Sequence, residues 1–137
     1  MSEENKALVR RFYDAYNTGD LAVLDEIVAR NFVSHQNSDS EPETGLETLK
    51  ARLDRGRTEQ DLVFIIEELI AEEDKVVARY LMRGTMRRAI LGNPDTVDKG
   101  FVVRGCAIFT VDGGKLVERW VNVDSWGRAL QVGAISS

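Results

Sequence analysis

Apolar residues in the first 60 positions recur with the period of a helix and predict three helices. The first spans residues 3–17 and has an apolar face of Leu8, Phe12, Ala15 and Tyr16. The second follows Asp20 as its N-cap, with a face of Leu21, Leu24, Ile27 and Val28. The third begins at a capping box of Thr44 and Glu47 and is expected to end at Gly56.

From Leu62 onward the pattern changes to the alternation of strands. Four runs separated by turn signals predict an antiparallel meander: "LVFIIEELIAEE", "VVARYLMRGTMRRA", "FVVRGCAIFTV" and "LVERWVNVDSW". Helices followed by strands indicate the α+β class, with about four long strands packed on three N-terminal helices. If the sheet curves around the helices, a pocket forms between the layers, and such a cavity is the usual small-molecule site.

Composition narrows the class of protein further. The 137 residues predict a single domain over 1–137. The net charge of -5, without a basic stripe, argues against nucleic acid as a partner. No apolar run approaches the ~20 residues that a membrane span needs, so no membrane partner is expected. Cys106 is the only cysteine, which favours a reducing, cytoplasmic location. One histidine without clustered ligands predicts no metal site.

The last predicted strand carries the chief candidate for chemistry, Asp124. Strict alternation places Glu118, Trp120, Asn122 and Asp124 on one face, and Val117, Arg119, Val121 and Val123 on the other. A tryptophan among polar groups is typical of a ligand pocket, so the first face is predicted to line it. A desolvated carboxyl there would suit general acid–base catalysis. The alternative is that Asp124 ends the strand and caps the turn "DSWG".

Other side chains are candidates for the same pocket. His35 follows Phe32 and Val33 and either stands at a pocket mouth or is a hydrogen-bonded loop histidine. Phe12, Tyr16 and Phe32 are candidates for contact with substrate, although aromatic residues at helical spacing are more often core. Because a buried arginine needs a carboxylate, Arg79 is predicted to form a structural ion pair with Glu118.

Two long stretches carry a resemblance to a known family. "LVRRFYDAYNTGDLAVLDEIVARNFVSH" and "KVVARYLMRGTM", with the "LGNPDTVDKGFVVRGCAIFTVDGGKLVERWVNVDSWGRALQVG" that follows, resemble the SnoaL-like polyketide cyclases of the nuclear transport factor 2-like superfamily. The resemblance covers nearly the whole chain. It implies a curved sheet closed by three helices into a conical pocket, a cystatin-like α+β barrel, in a homodimer.

The resemblance also implies roles for individual residues. Characterised cyclases close a ring by an intramolecular aldol step, using an aspartate on the last long strand and no metal or organic cofactor. Asp124 matches that aspartate, and His35 and Trp120 match a family histidine and tryptophan. Asn122 and Trp120 would orient the substrate. One departure is Met86, which stands where the family often has a histidine.

Three hypotheses for function follow from these patterns. The first is a cofactor-independent cyclase or isomerase, a lyase- or isomerase-type enzyme that transfers protons at Asp124 and His35 on a small apolar or aromatic carbonyl compound. The second is a non-catalytic module that binds such a ligand. The third is an epoxide hydrolase-like enzyme, which needs an Asp-Arg-Asp arrangement; Asp124 and Arg79 could supply part of it, but no second aspartate is evident.

Overall fold

The computed structural model describes residues 2–36, 38 and 40–136, and its elements follow the predicted order of helices, then strands. The helices are α1 (Ser2–Thr18), α2 (Leu24–Ile27), α3 (Leu46–Gln60) and α4 (Ser125–Gln131). The strands are β1 (Val28–His35), β2 (Glu43–Thr44), β3 (Val63–Glu72), β4 (Lys75–Thr85), β5 (Gly100–Asp112) and β6 (Lys115–Val123). Short 3₁₀ turns lie at Leu21–Val23 and Pro94–Thr96.

The strands form one curved, unclosed sheet in the order β2-β1-β6-β5-β4-β3. Strands β3 to β6 are the predicted antiparallel meander. β1 pairs with β6 in parallel and with β2 in antiparallel register. The segment "NFVSH", which ends β1, therefore belongs to a strand. Its partner β6 is distant in sequence, so the local pattern does not show the pairing.

Helices α1 and α3 lie on the concave face of the sheet and bury the core. α1 packs on β3 and β4, and α3 packs on β1. Phe12 meets Phe109 of β5 with ring centroids 5.2 Å apart, and Tyr13 meets Phe64 of β3 at 5.4 Å. Edge-on and tilted aromatic contacts of this kind stabilise a core beyond the area that they bury. The α+β class is confirmed.

The second and third helices differ from their predicted boundaries. α2 is a single turn, and Asp20 makes no side-chain capping bond. Thr44 lies in β2, where it pairs with Val33, so Gly45 is the N-cap of α3 instead. α3 continues through Gly56 and ends at Gln60, where Asp61 takes the left-handed conformation with φ 50°.

Gly56 is required for close packing rather than for helix termination. A Cβ atom at this position would lie 2.2 Å from the Tyr16 hydroxyl oxygen and 3.0 Å from Leu62 Cδ1. The first distance is too short for any real contact, so an alanine would force Tyr16 or the helix to move. The missing side chain lets α3 and α1 approach each other around the tyrosine.

The C-terminal helix α4 was not predicted. Asp124 is its N-cap, and Asp124 Oδ1 accepts a hydrogen bond from the Gly127 N–H at 2.7 Å. α4 packs against β5, where Gln131 exchanges two hydrogen bonds with the Val102 backbone. Within the described part of the chain, no helix combines the length and the apolar character that a membrane crossing requires.

Candidate functional site

A cavity of about 440 Å³ lies between the concave face of the sheet and helices α1, α3 and α4. Its floor consists of buried side chains: Tyr13, Tyr16, Phe64, Tyr80, Met82 and Arg119. Its mouth is marked by exposed residues: Ser38, Arg55, Asn122 and Ser125. The volume suits a small organic ligand. The chain has three tyrosines, and all of them line this cavity.

Arg119 is the charged group at the cavity floor. It is 5% exposed, points inward from β6, and donates from Nε to Ser34 Oγ at 2.8 Å. Its guanidinium carbon lies 5.3 Å from the centre of the Phe12 ring. Among residues 2–36, 38 and 40–136, no carboxylate forms an ion pair with it. Burial lowers the pKa of Arg119 from its ordinary value. A buried cation without a counter-ion is costly, so a negatively charged ligand oxygen would stabilise this site.

The tyrosines supply neutral hydroxyl groups beside Arg119. Burial raises the pKa of Tyr16 and of Tyr80 to about 12, and it raises the pKa of Tyr13 well above 10.0. All three phenols are therefore protonated at neutral pH and able to donate hydrogen bonds. Tyr80 is seated against Gly105 of β5, where a Cβ atom would lie 2.7 Å from the tyrosine ring.

The remaining charges around the cavity are mostly arginines. Arg52 forms a two-point ion pair with Glu43, with donor–acceptor distances of 2.6 and 2.7 Å, and this bond lowers the pKa of Glu43. Arg128 is half-buried, with its guanidinium carbon 5.6 Å from the centre of the Phe101 ring. Arg55 is exposed at the mouth. The lining thus contains four arginines, in a protein whose net charge is -5.

Glu59, near the end of α3, is the single carboxylate that lines the cavity within the described residues. It forms an ion pair with Arg88, whose side chain is 70% exposed. Such exposed pairs are weak and exchange readily with water. Glu59 is therefore available to a ligand in the cavity.

Two of the predicted substrate contacts lie at the cavity, and two lie in the core. Tyr16 and Asn122 line it. Phe12 and Phe32 are 0% and 1% exposed, belong to the hydrophobic core, and are not among the lining residues. Met86 is also buried in the core. The cavity therefore draws on the tyrosines more than on the phenylalanines.

The structure reverses the predicted orientations of Arg119 and Trp120 on β6. Arg119, Val121 and Val123 line the cavity, whereas Trp120 is 51% exposed on the outer face. Trp120 stacks on His35 with ring centroids 3.6 Å apart and an interplanar angle of 9°. His35 Nε2 lies 2.8 Å from Glu118 Oε2. The structure thus brings His35, Trp120 and Glu118 together, but away from the cavity.

The predicted ion pair between Arg79 and Glu118 is wrong. Arg79 is exposed on β4 and donates to Glu67 at 2.6 Å and to Glu68 at 3.3 Å, on the neighbouring strand β3. Because the outer face of the sheet is hydrated, Arg79 did not need the buried partner assumed for it. Arg79 and Asp124 do not form an ion pair either. Arg79 donates to the two glutamates of β3, and Asp124 accepts a hydrogen bond from the Gly127 N–H.

Asp124 is exposed and is not a lining residue of the cavity. Its carboxylate makes the turn-capping contact expected by the second of the two interpretations of this residue. Its predicted catalytic role, like that of His35, stays a prediction. Arg119 was missed because the strand faces were assigned by the position of tryptophan. The sequence signal that could have identified Arg119 is that it is the one charged residue on a strand face that otherwise consists of Val117, Val121 and Val123. Among the described residues, no group of three metal-binding side chains is present.

Comparison with known proteins identifies the family to which the chain belongs. The family model for SnoaL-like polyketide cyclases matches residues 6–132. TsrD from Streptomyces laurentii is a solved structure with 29% identity, a TM-score of 0.81 and 97% coverage of both chains. A protein from Jannaschia sp. CCS1 assigned as a SnoaL-like polyketide cyclase has a TM-score of 0.84 at 21% identity, covering 99% of this chain and 96% of its own.

A third solved structure, a proposed polyketide cyclase from Bacillus cereus ATCC 10987, has 28% identity and a TM-score of 0.77. It is matched over 97% of this chain and 83% of its own length. A comparison with curated proteins finds no match. Since the family model spans most of the sequence and the solved structures share the fold throughout, the chain belongs to the SnoaL-like polyketide cyclase family.

Proposed function

We propose that the chain is a cofactor-independent cyclase or isomerase that acts on an enolisable carbonyl compound inside the cavity. The observation that carries this proposal is Arg119, a buried cation without a carboxylate partner, surrounded by tyrosine side chains. Such a group favours negative charge on a ligand oxygen. Family membership supports the same class of chemistry.

The proposed reaction begins with removal of a proton next to the carbonyl. The bonding electrons move onto the carbonyl oxygen, which becomes an enolate oxyanion. Arg119 and a tyrosine hydroxyl donate hydrogen bonds to this oxygen at the buried floor of the cavity. Donors preorganised in this way are typically worth about 10²–10³-fold in rate each. The enolate carbon then attacks a second carbonyl, whose π electrons move onto its own oxygen, and the protonated base returns its proton to this alkoxide to complete the ring. In a conjugated substrate the enolate charge extends to a second carbon, and return of the proton to that carbon isomerises the compound.

Glu59 is the proposed proton acceptor. It lines the cavity, and the ion-pair partner of its carboxylate, Arg88, is exposed. Asp124, to which the resemblance gives this role, is the alternative. Its carboxylate already accepts the Gly127 N–H of α4 and lies outside the lining. Hydrogen–deuterium exchange of a ketone, measured with the Glu59→Gln and Asp124→Asn variants, distinguishes between Glu59 and Asp124 as the proton acceptor.

A second candidate function, a non-catalytic binding module, is favoured by one observation. The β6 residues that line the cavity are Arg119, Val121, Asn122 and Val123, and none of their side chains accepts a proton at neutral pH. If Glu59 stays paired with Arg88, the cavity would hold an anionic ligand without converting it.

The test is hydrogen–deuterium exchange at the acidic C1 position of 2-tetralone, a bicyclic ketone, followed by proton NMR. Wild type is expected to accelerate exchange, and Arg119→Met is expected to lose about 100-fold or more of that acceleration. Arg79→Gln, an arginine on the outer face, is the matched control and should behave as wild type. Saturable binding of the ketone without acceleration would instead establish the binding module.

We also propose that the protein forms the homodimer implied by the resemblance, through the outer face of the sheet. Trp120, Ile108 and Val102 are exposed there, at 51%, 41% and 51%. Trp120 and Ile108 are direct partners in the register of β5 and β6, so they make one continuous apolar surface.

A further inference from the structure

The charges that line the cavity do not balance. Four arginines line it, and among the described residues one carboxylate does. The charge of Arg52 is already neutralised by Glu43, and Glu59 makes only an exposed pair with Arg88, so a surplus of positive charge remains at the cavity. Arg119, Arg128 and Arg55 remain without a carboxylate in the described part of the chain. Arg55 is exposed, so water screens its charge. Arg119 and Arg128 are the two cations that a bound ligand would meet.

Arg128 is held in an unusual environment for an arginine. It projects from α4 and packs over Phe101, and Nη1 makes one long bond of 3.5 Å to the Gln60 amide oxygen. Its Nε is buried and is the one such side-chain atom without a hydrogen-bond partner among the described residues. Burial lowers the pKa of Arg128. A guanidinium that has lost water and gained no counter-ion favours an anion, and its planar geometry matches a carboxylate.

The two arginines differ in their access to water. Arg119 lies on the buried floor. Arg128 lies near the exposed mouth residues Asn122 and Ser125, which line the same cavity. A permanent carboxylate is costly to dehydrate completely, so it is better placed where some water remains. A charge that develops only during reaction is better stabilised on the dry floor, where hydrogen bonds are stronger.

We propose that the substrate is an organic acid, specifically an aromatic oxo acid, whose carboxylate is bound by Arg128 while its reacting carbonyl faces Arg119. This inference rests on the proposed function for the role of Arg119. Phe64, Tyr80 and Met82 provide the apolar wall against which a flat ring system packs. Asp124 enters as a positioning residue, because it caps the helix that carries Arg128.

The experiment compares two probes of nearly the same shape, 2-naphthoate and 2-naphthamide, by isothermal titration calorimetry. Wild type is expected to bind the carboxylate at least tenfold more tightly than the amide. Arg128→Gln should lose this preference, and Arg79→Gln should keep it. Arg128→Lys keeps the charge but not the two-point geometry, so an intermediate preference is expected. Raising the salt concentration should weaken binding of 2-naphthoate more than binding of 2-naphthamide.

Each outcome supports or overturns the assignment. Equal affinity of wild type for both probes, or a preference that survives in Arg128→Gln, overturns it. If the preference disappears in Arg119→Met but not in Arg128→Gln, the carboxylate is held on the floor, and Arg128 is not its partner. Circular dichroism checks that each variant is folded; should Arg128→Gln unfold, an undiminished preference in Arg128→Lys overturns the assignment. The exchange of 2-tetralone, which has no carboxylate, tests the proposed function separately.

Discussion

Arg119 and Ser34 are partners across the parallel pairing of β6 and β1, and the guanidinium Nε donates to the serine Oγ at 2.8 Å. The hydroxyl fixes the position of the arginine without cancelling its charge. A carboxylate at position 34 would have made an ordinary buried ion pair. The uncharged partner keeps the positive charge available to whatever occupies the cavity.

A first prediction concerns stability. Arg119→Met removes a buried cation that lacks a counter-ion, together with the cost of desolvating it. Even a buried ion pair can often be replaced by apolar side chains with a neutral effect or a gain of about 1–4 kcal/mol. We therefore expect the free energy of unfolding in urea to stay equal or rise, although enolate stabilisation is lost. Arg79→Gln is the control for removing an arginine. A clear fall in stability would show that the hydrogen bond to Ser34 and the contact with the Phe12 ring outweigh the cost of burying the charge.

A second prediction concerns alkaline pH. Since burial raises the pKa of Tyr16 and Tyr80 to about 12 in the folded protein and raises that of Tyr13 well above 10.0, the native protein should show little phenolate absorbance near 295 nm at pH 10.5. Unfolded chains ionise at the ordinary value of 10.0. The stabilisation from keeping these phenols neutral is thus complete below pH 10 and is lost as pH rises toward 12. Native titration near pH 10 would contradict the buried placement.

A third prediction uses Gly56 and Tyr16. Gly56→Ala gains about 1 kcal/mol of helix propensity but places Cβ against the Tyr16 hydroxyl, and overpacking typically costs about 1–3 kcal/mol. We expect the single variant to be less stable than wild type. The double variant with Tyr16→Phe removes the clashing oxygen and should recover stability above the sum of the two single effects. Strict additivity in urea unfolding would show that the clash does not decide the outcome.

A fourth prediction concerns the cap of α4. Asp124→Ala removes the hydrogen bond to Gly127 and should cost about 1 kcal/mol, whereas Asp124→Asn keeps an acceptor and should cost less. Both can be measured by thermal unfolding. With Glu59 as the base, Asp124→Asn should retain most 2-tetralone exchange, and Glu59→Gln should not. The reverse pattern would restore the acid–base role that the resemblance gives to Asp124.

A fifth prediction concerns assembly. Trp120→Glu places a charge in the exposed apolar surface of the sheet, so the proposed homodimer should dissociate while the fold persists. Sedimentation velocity measures this directly. Trp126→Glu is the matched control, since Trp126 is 65% exposed but lies on α4. A monomeric wild type at micromolar concentration would contradict the proposed interface.

The sequence was sufficient for the class of fold and for the four long strands, because these follow from local periodicity and short turns. It did not show β1, whose pairing with β6 depends on residues far apart in the chain. Alternation along β6 also does not determine which face of the strand points toward the helices. Either Trp120 or Arg119 could point inward, and only the packing of α1 and α3 on the sheet decides between them. For that reason Arg119 was not among the residues predicted to line the cavity, whereas Tyr16 and Asn122 were.

The three tyrosines line the cavity, while the two tryptophans, Trp120 and Trp126, are exposed and outside its lining. The phenol chromophores therefore lie at the cavity, and the indole chromophores lie on the surface. Ultraviolet absorbance of the phenols reports events inside the cavity, and indole fluorescence reports events on the surface. Ligand entry and self-association can therefore be followed independently in one unlabelled sample.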